Sequence, residues 1–115
     1  MNDPYVPDAG HLVWLTLDPA VGHEKAGRRP FLVLSRRAYN AKTSFVVGVP
    51  ITTKRKGYPF QVELPDDGRI TGVAMADHIK SFDWRARRAA YAQDAERSTV
   101  EHVRRLIATL LDLRR

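Results

Sequence analysis

Residues 11–17 read His-Leu-Val-Trp-Leu-Thr-Leu, placing Leu12, Trp14 and Thr16 on one side of an extended chain and Val13, Leu15 and Leu17 on the other. Apolar side chains on both faces predict a strand that is central in a sheet or lies under an interface. Residues 31–35 are a second apolar run, predicted as a strand buried on both sides, and residues 44–49 are a third, stopped by Pro50. In residues 58–64, Phe60, Val62 and Leu64 alternate with Gln61 and Glu63, the pattern of a half-solvated strand. Residues 70–76 give a fifth strand, which 77–80 either continue or follow as a sixth, and residues 89–93 give one more short strand. Between them, residues 36–43 have no clear period and carry Asn40 as a turn former, which predicts a loop with one helical turn. Residues 52–57 form a loop of hydroxyls and cations, 65–68 (Pro-Asp-Asp-Gly) a turn, and 83–88 a basic turn.

The last segment changes period. Val100, Val103, Leu106, Ile107, Leu110 and Leu111 recur at steps of three and four, which makes one apolar stripe for packing on the sheet. Ser98 and Glu101 have capping-box spacing, so the helix is expected to start there. Short strands closed by a single terminal helix predict a mainly β fold: a small antiparallel barrel or strongly curled sheet. A chain of 115 residues, 43% hydrophobic and 28% charged, is expected to be one folded domain, 1–115, without repeat or linker.

Charge adds a partner. Lys and Arg total 19 against 13 Asp and Glu, and 14 of the 19 are arginine, the planar fork suited to phosphate. A polyanion such as nucleic acid is the favoured partner. The absence of cysteine excludes disulfides and thiolate metal sites and fits a reducing compartment. The histidines, at 11, 23, 78 and 102, are scattered, so neither metal nor cofactor is expected. Phosphate-binding, dinucleotide and nucleophile-elbow motifs are absent. No apolar run approaches a membrane span and the first residues lack a signal pattern, so the chain is expected in the cytoplasm.

The chemistry concentrates around residues 22–35, where a glycine-bounded loop with His23, Glu24, Lys25, Arg28 and Arg29 runs through Pro30 into the apolar strand. Arg29, at the strand's mouth, is held by the core beneath it, whereas the loop residues need a substrate to order them. A solvated hairpin loop would carry the same charges, so the rest of the chain has to decide. It supplies hydroxyls (Thr52, Thr53), a carboxylate (Asp77) and an imidazole (His78), with Lys54, Arg55, Lys56, Lys80, Arg85 and Arg87 around them. These groups suit metal-free RNA cleavage: a base takes the 2′-hydroxyl proton, the oxygen attacks phosphorus, an acid protonates the leaving 5′-oxygen, and cations stabilise the phosphorane.

Most of the chain resembles the MazF/PemK-type toxins, the endoribonuclease half of bacterial toxin–antitoxin pairs. The marks are Tyr5, Val6, Pro7, Asp8 and Gly10; Trp14, Asp18 and Pro19; Gly22, Glu24, Gly27, Arg29 and Pro30; Tyr39 and Asn40; Val49, Pro50, Thr52 and Thr53; Lys56, Gly57, Tyr58, Pro59 and Phe60; Gly72 and Val73; Asp77, Lys80 and Ser81; and Trp84, Arg85, Ala86 and Arg87. The resemblance implies a barrel of the CcdB/MazF plasmid-maintenance type. It also implies a homodimer that cuts single-stranded mRNA at a short sequence without ribosomes or metal, and inhibition by an acidic antitoxin of the MazE type. Arg29 and Thr52 match the residues the family uses around the scissile phosphate, Glu24 a loop acid, and His23 the proposed proton-transfer histidine of the Kid/PemK branch. Lys54, Arg55, Lys56, Tyr58, Asp77, His78, Lys80, Trp84, Arg85 and Arg87 are expected along the RNA, with Tyr58 or Trp84 stacking a base if exposed. The chain departs at Met75, where that branch has an arginine, and at His78, where many members have glutamine. A CcdB-like gyrase poison is the rival on the same fold, but its tryptophan-containing C-terminal tip is missing here. A basic barrel that binds RNA without cutting it is the other rival.

Overall fold

The computed structural model describes residues 4–17 and 27–113. Its elements are β1 (His11–Thr16), β2 (Arg28–Val33), α1 (Arg37–Thr43), β3 (Phe45–Thr52), β4 (Gln61–Glu63), β5 (Val73–Met75), β6 (Lys80–Asp83), β7 (Ala90–Asp94) and α2 (Arg97–Leu111). All the strand pairs are antiparallel, in the order β4-β5-β3-β2-β1-β7, with β6 also on β3. No ladder among the described residues joins β4 to β7, so the curled sheet is an open barrel. Gln93 of β7 reaches across toward the opposite edge, its Oε1 accepting the Arg69 N–H at 2.7 Å.

β3 does not stop at Pro50 as its sequence suggested, and the pairing explains why. On one flank β3 pairs with β2 through Phe31–Pro50; on the other, residues 45–48 pair with β6 and residues 51–52 with β5. Pro50 falls where the second flank changes partner, so its missing N–H leaves no gap in a ladder. Two glycines make this crowding possible. A Cβ on Gly48 would strike the Leu32 carbonyl, and one on Gly72, at φ +124°, would strike the Thr52 carbonyl.

The sheet is covered on both faces, as the two-sided pattern of β1 foretold. Leu12, Leu32, Val49, Ile51, Val62, Leu64, Ile70 and Ala74 form one core with Val103 of α2; Val13, Leu15, Phe31, Val33, Val46 and Trp84 form the other. The α2 stripe is only partly used: Val103 is buried and Val100, Leu106 and Ile107 pack beside it, but Leu110 and Leu111 are 43% and 52% exposed. The capping box does not form. α2 begins one residue before Ser98 with Glu96 at its N-cap and no side-chain cap; the Glu96 carbonyl accepts Val100 N–H at 3.1 Å. Starting earlier places Ser98 inside the first turn, where it cannot act as the flanking cap.

Residues 37–43 form a full α-helix rather than a loop with one turn. Asn40, expected as a turn former, is completely buried: its Nδ2 donates to Pro7 and Ser35 carbonyls, its Oδ1 accepts Ser35 Oγ at 2.6 Å, and its carbonyl accepts the Trp84 indole N–H at 2.8 Å. The N-terminal cap of α1 comes from a distant residue, Asp8, whose Oδ1 accepts the Arg37 N–H at 2.9 Å and whose pKa is thereby lowered. Local sequence could not announce either contact.

His11 ties the N-terminal segment to the sheet. Its Nδ1 lies 2.8 Å from the Tyr5 hydroxyl and accepts the Asp8 N–H at 3.2 Å, and its ring stands edge-on to Tyr91 at 5.0 Å. Burial lowers its pKa from 6.5, outweighing the opposing pull of Asp94 and Asp8. The folded state therefore prefers the neutral ring, and the unfolded chain takes up the proton first as pH falls. Stability is expected to be constant above pH 6.5 from this group and to fall as pH drops below it. Urea unfolding of wild type and His11→Gln between pH 7.5 and 5 checks this, the variant showing the shallower decline.

Candidate functional site

β3, β4 and β5 enclose a cleft of about 430 Å³ lined by Thr52, Lys54, Lys56, Tyr58, Gln61, Met75, Asp77 and His78. The end of β3 fixes Thr52, whose Oγ1 accepts the Lys54 N–H at 3.2 Å. Gln61, at the start of β4, uses its whole side chain on the cationic loop: Nε2 donates to the Lys54 carbonyl at 3.1 Å and Oε1 accepts the Lys56 N–H at 2.8 Å. Nothing in the alternating pattern of its strand singled out Gln61; only the fold shows the clamp.

At the far wall, Tyr58 donates its hydroxyl to Asp77 Oδ2 at 2.9 Å, and this bond raises the Tyr58 pKa. Asp77 Oδ1 is buried and has no hydrogen-bond partner among the described residues. The nearest cation-forming group is His78, whose Nε2 lies 3.8 Å away and whose side chain is half exposed. A carboxylate aimed into a cleft with two lysines gives the site both signs of charge. The lysines attract an anion, and the acidic wall offers a proton acceptor or an orienting group.

Arg29 is not in the cleft. Exposed at the mouth of β2, it lines a smaller hollow of about 110 Å³ with Leu17, Pro50, Lys80 and Phe82. Arg29 precedes Phe31 by two residues and Thr52 follows Pro50 by two, and Phe31 pairs with Pro50. Both side chains thus belong to one face at one end of the β2–β3 ladder. Among the described residues the Arg29 guanidinium has no hydrogen bond or ion pair. Arg87 stacks over Phe82 at 4.8 Å, and Phe82 borders both the Arg29 hollow and an adjoining one lined by Arg87. Arg87, Lys80, Arg29, Lys54 and Lys56 therefore mark a cationic path from β6 across β3 to the cleft.

Some expected groups are elsewhere. Trp84 is 6% exposed with its indole N–H bonded to Asn40, so it is a core residue and cannot stack a base. Arg85 lies over Trp84 at 4.4 Å, donates to the Ala41 carbonyl and lines a separate hollow with Pro4, Tyr5 and Arg88. Arg55 turns away from its two lysine neighbours to form a two-pronged pair with Glu63, 2.6 Å at the closest, and is already neutralised there. Arg28 holds the strand end, donating to Thr16 Oγ1 and the Arg87 carbonyl. His23, Glu24 and Lys25 lie outside the described residues; the flanks of their segment meet where Leu17 N–H donates to the Gly27 carbonyl at 3.4 Å.

The open antiparallel barrel thus carries a terminal helix and, at the ends of its central strands, a cleft whose lysines suit an anion. The chain belongs to the PemK-like, MazF-like toxin family of type II toxin–antitoxin systems, whose profile matches residues 8–111. It is 54% identical over 89 residues to the endoribonuclease toxin MazF of Escherichia coli K12, covering 77% of this chain and 79% of that one. It is 33% identical over 104 residues to Escherichia coli endoribonuclease PemK, covering 86% and 78%. Among solved structures, MazF in a MazE–MazF crystal structure from Deinococcus radiodurans superposes with a TM-score of 0.91 at 49% identity, covering 96% of this chain and all of the other.

The bond between Tyr58 and Asp77 makes a prediction about the free cleft. Replacing the carboxylate by an amide removes the charge that opposes phenol ionisation, so Asp77→Asn should bring the Tyr58 pKa down toward its ordinary 10.0. NMR titration of the Tyr58 ring in both proteins measures the shift.

Proposed function

We infer that this chain is the toxin of a type II toxin–antitoxin pair. It acts as a cytoplasmic endoribonuclease that cuts single-stranded mRNA independently of ribosomes and of metal ions, arresting translation and growth. The observation that carries this reading is the cationic path itself, which ends in a cleft holding Thr52, while Arg29 and Thr52 share one face of neighbouring strands. RNA supplies its own nucleophile. Attack of the 2′-oxygen on phosphorus expels the 5′-oxygen and leaves a 2′,3′-cyclic phosphate, so the protein has to position, polarise and move protons.

The chain's groups divide these tasks. Lys80, Lys54 and Lys56 draw in successive phosphates, and Tyr58, 46% exposed, is available to stack a base. The Arg29 guanidinium stabilises the phosphorane, and the Thr52 hydroxyl orients a non-bridging oxygen. Glu24 or His23 of the loop before β2 takes part in proton transfer. The working unit is a homodimer; Leu110, Leu111 and Leu113 at the end of α2 are exposed apolar surface that a second copy can cover. The partner that restrains it is an acidic antitoxin of the MazE type, because a cleft that attracts phosphates also accepts a carboxylate-rich segment.

Incubating a long transcript with the protein in EDTA and mapping the ends tests the reading. Cuts at a short sequence are expected, with 2′,3′-cyclic phosphate and 5′-hydroxyl termini, and deoxyribose at the nucleotide 5′ of the cut should abolish them. Binding without cutting would instead support the non-catalytic barrel, and inhibition of gyrase without RNA cleavage the CcdB-like rival.

Arg29→Ala is expected to lower the single-turnover cleavage rate by about a hundredfold or more, the scale of losing one preorganised donor to a developing oxyanion. Lys25→Ala, which removes a loop cation, should cost less. Equal small losses in the two variants would reduce Arg29 to a contributor to the general field.

A further inference from the structure

The reaction needs two proton transfers, and the residues proposed for them above, Glu24 and His23, lie outside the described residues. The cleft holds another candidate. Asp77 Oδ1 is a buried carboxylate oxygen without a hydrogen-bond partner among the described residues, its sister oxygen accepts the Tyr58 hydroxyl, and His78 Nε2 stands 3.8 Å from Oδ1. The His78 backbone is held by its N–H donating to the Met75 carbonyl at 2.9 Å, and its side chain is half exposed and lines the same cleft as Thr52. A carboxylate close to an imidazole, both bordering the cleft, is a pairing that can make a histidine a base.

We propose that His78 is the general base of the cleavage reaction, with Asp77 as its positioning residue. The proposal rests on the nuclease reading above. The unpartnered carboxylate favours the Nε2–H tautomer, which leaves Nδ1 as the acceptor. Nδ1 takes the proton of the 2′-hydroxyl as the O2′–P bond forms. The P–O5′ bond breaks, the 5′-oxygen takes a proton from water, and the imidazolium returns its proton to the hydroxide so formed. During the step Asp77 faces the positive ring, a role that its buried oxygen can fill because no donor among the described residues bonds to it. The titratable groups that face His78 are Lys54, Lys56 and Tyr58 from the β3–β4 connection and Asp77 beside it; Thr52, Gln61 and Met75, from β3, β4 and β5, add no charge.

The sequence placed His78 along the RNA, at a position where many members of the resembled family have glutamine. That makes His78→Gln a conservative probe. Single-turnover cleavage in EDTA across a pH series, with binding of an uncleavable 2′-deoxy RNA measured in parallel, separates chemistry from affinity. His78→Gln should lower the rate by about a hundredfold or more, remove the rise of rate with pH that a general base gives, and weaken binding of the deoxy RNA far less than it slows cleavage. Imidazole added to His78→Ala should restore part of the rate, and Asp77→Asn should lower the rate less than His78→Gln does, with Asp77→Glu recovering part of the loss. A His78→Gln protein with wild-type rate and profile overturns the proposal while leaving the nuclease reading intact. So does a loss of rate matched by an equal loss of deoxy-RNA binding with the profile unchanged. A wild-type protein that cuts no RNA overturns both.

Discussion

One strand has to serve three neighbours, and the remainder of the molecule is arranged around that constraint. β3 offers one edge to β2 and divides the other between β6 and β5. A regular strand has a single donor or acceptor row on each edge, so the changeover requires a residue that needs no partner and neighbours that approach closely. Pro50 meets the first requirement by lacking an N–H; Gly48 and Gly72 meet the second by lacking a Cβ. β5 pairs with residues 51–52 of β3 and β4 pairs with β5, and the cleft lies at the ends of these three strands.

The site is built from backbone as much as from side chains. The loop after β3 would be a solvated run of cations, but the Gln61 amide holds its main chain at two points and Thr52 at a third. Alternate residues then face opposite ways: Lys54 and Lys56 border the cleft while Arg55 is matched with Glu63 outside it. Charge density at the site is thus lower than the sequence Lys-Arg-Lys suggests, and better directed. Asp77 sharpens this further. A carboxylate beside two lysines would repel a phosphate from its own end of the cleft, which leaves that wall to bases, hydroxyls and protons.

Membership of a toxin family gives the asymmetry of the molecule a biological sense. The cationic path ends at Lys54 and Lys56, both exposed, so that side of the molecule is open to a polyanion. The apolar end of α2, by contrast, plays no part in the core of one chain, where Ile107 is the last residue of the stripe to pack.

The sequence by itself determined the elements and the chemistry on offer. Alternation and apolar runs marked the strands of both cores because burial on a pleated sheet imposes a period of two, and the three-and-four spacing marked α2 for the same reason with a different period. Thr52, Lys54, Lys56, Tyr58, Asp77 and His78, nominated from residue type and resemblance, do line one cleft. Contacts between distant positions could not be read this way, since pattern is local. The Asp8 cap that makes residues 37–43 a helix, the burial of Asn40 and Trp84 against each other, the continuation of β3 through Pro50, the Gln61 clamp and the pairing of Arg55 with Glu63 all join residues whose proximity is created by folding. Tertiary structure alone decided which cations face the cleft and which carboxylate oxygen was left without a partner, because both depend on where the chain returns to itself.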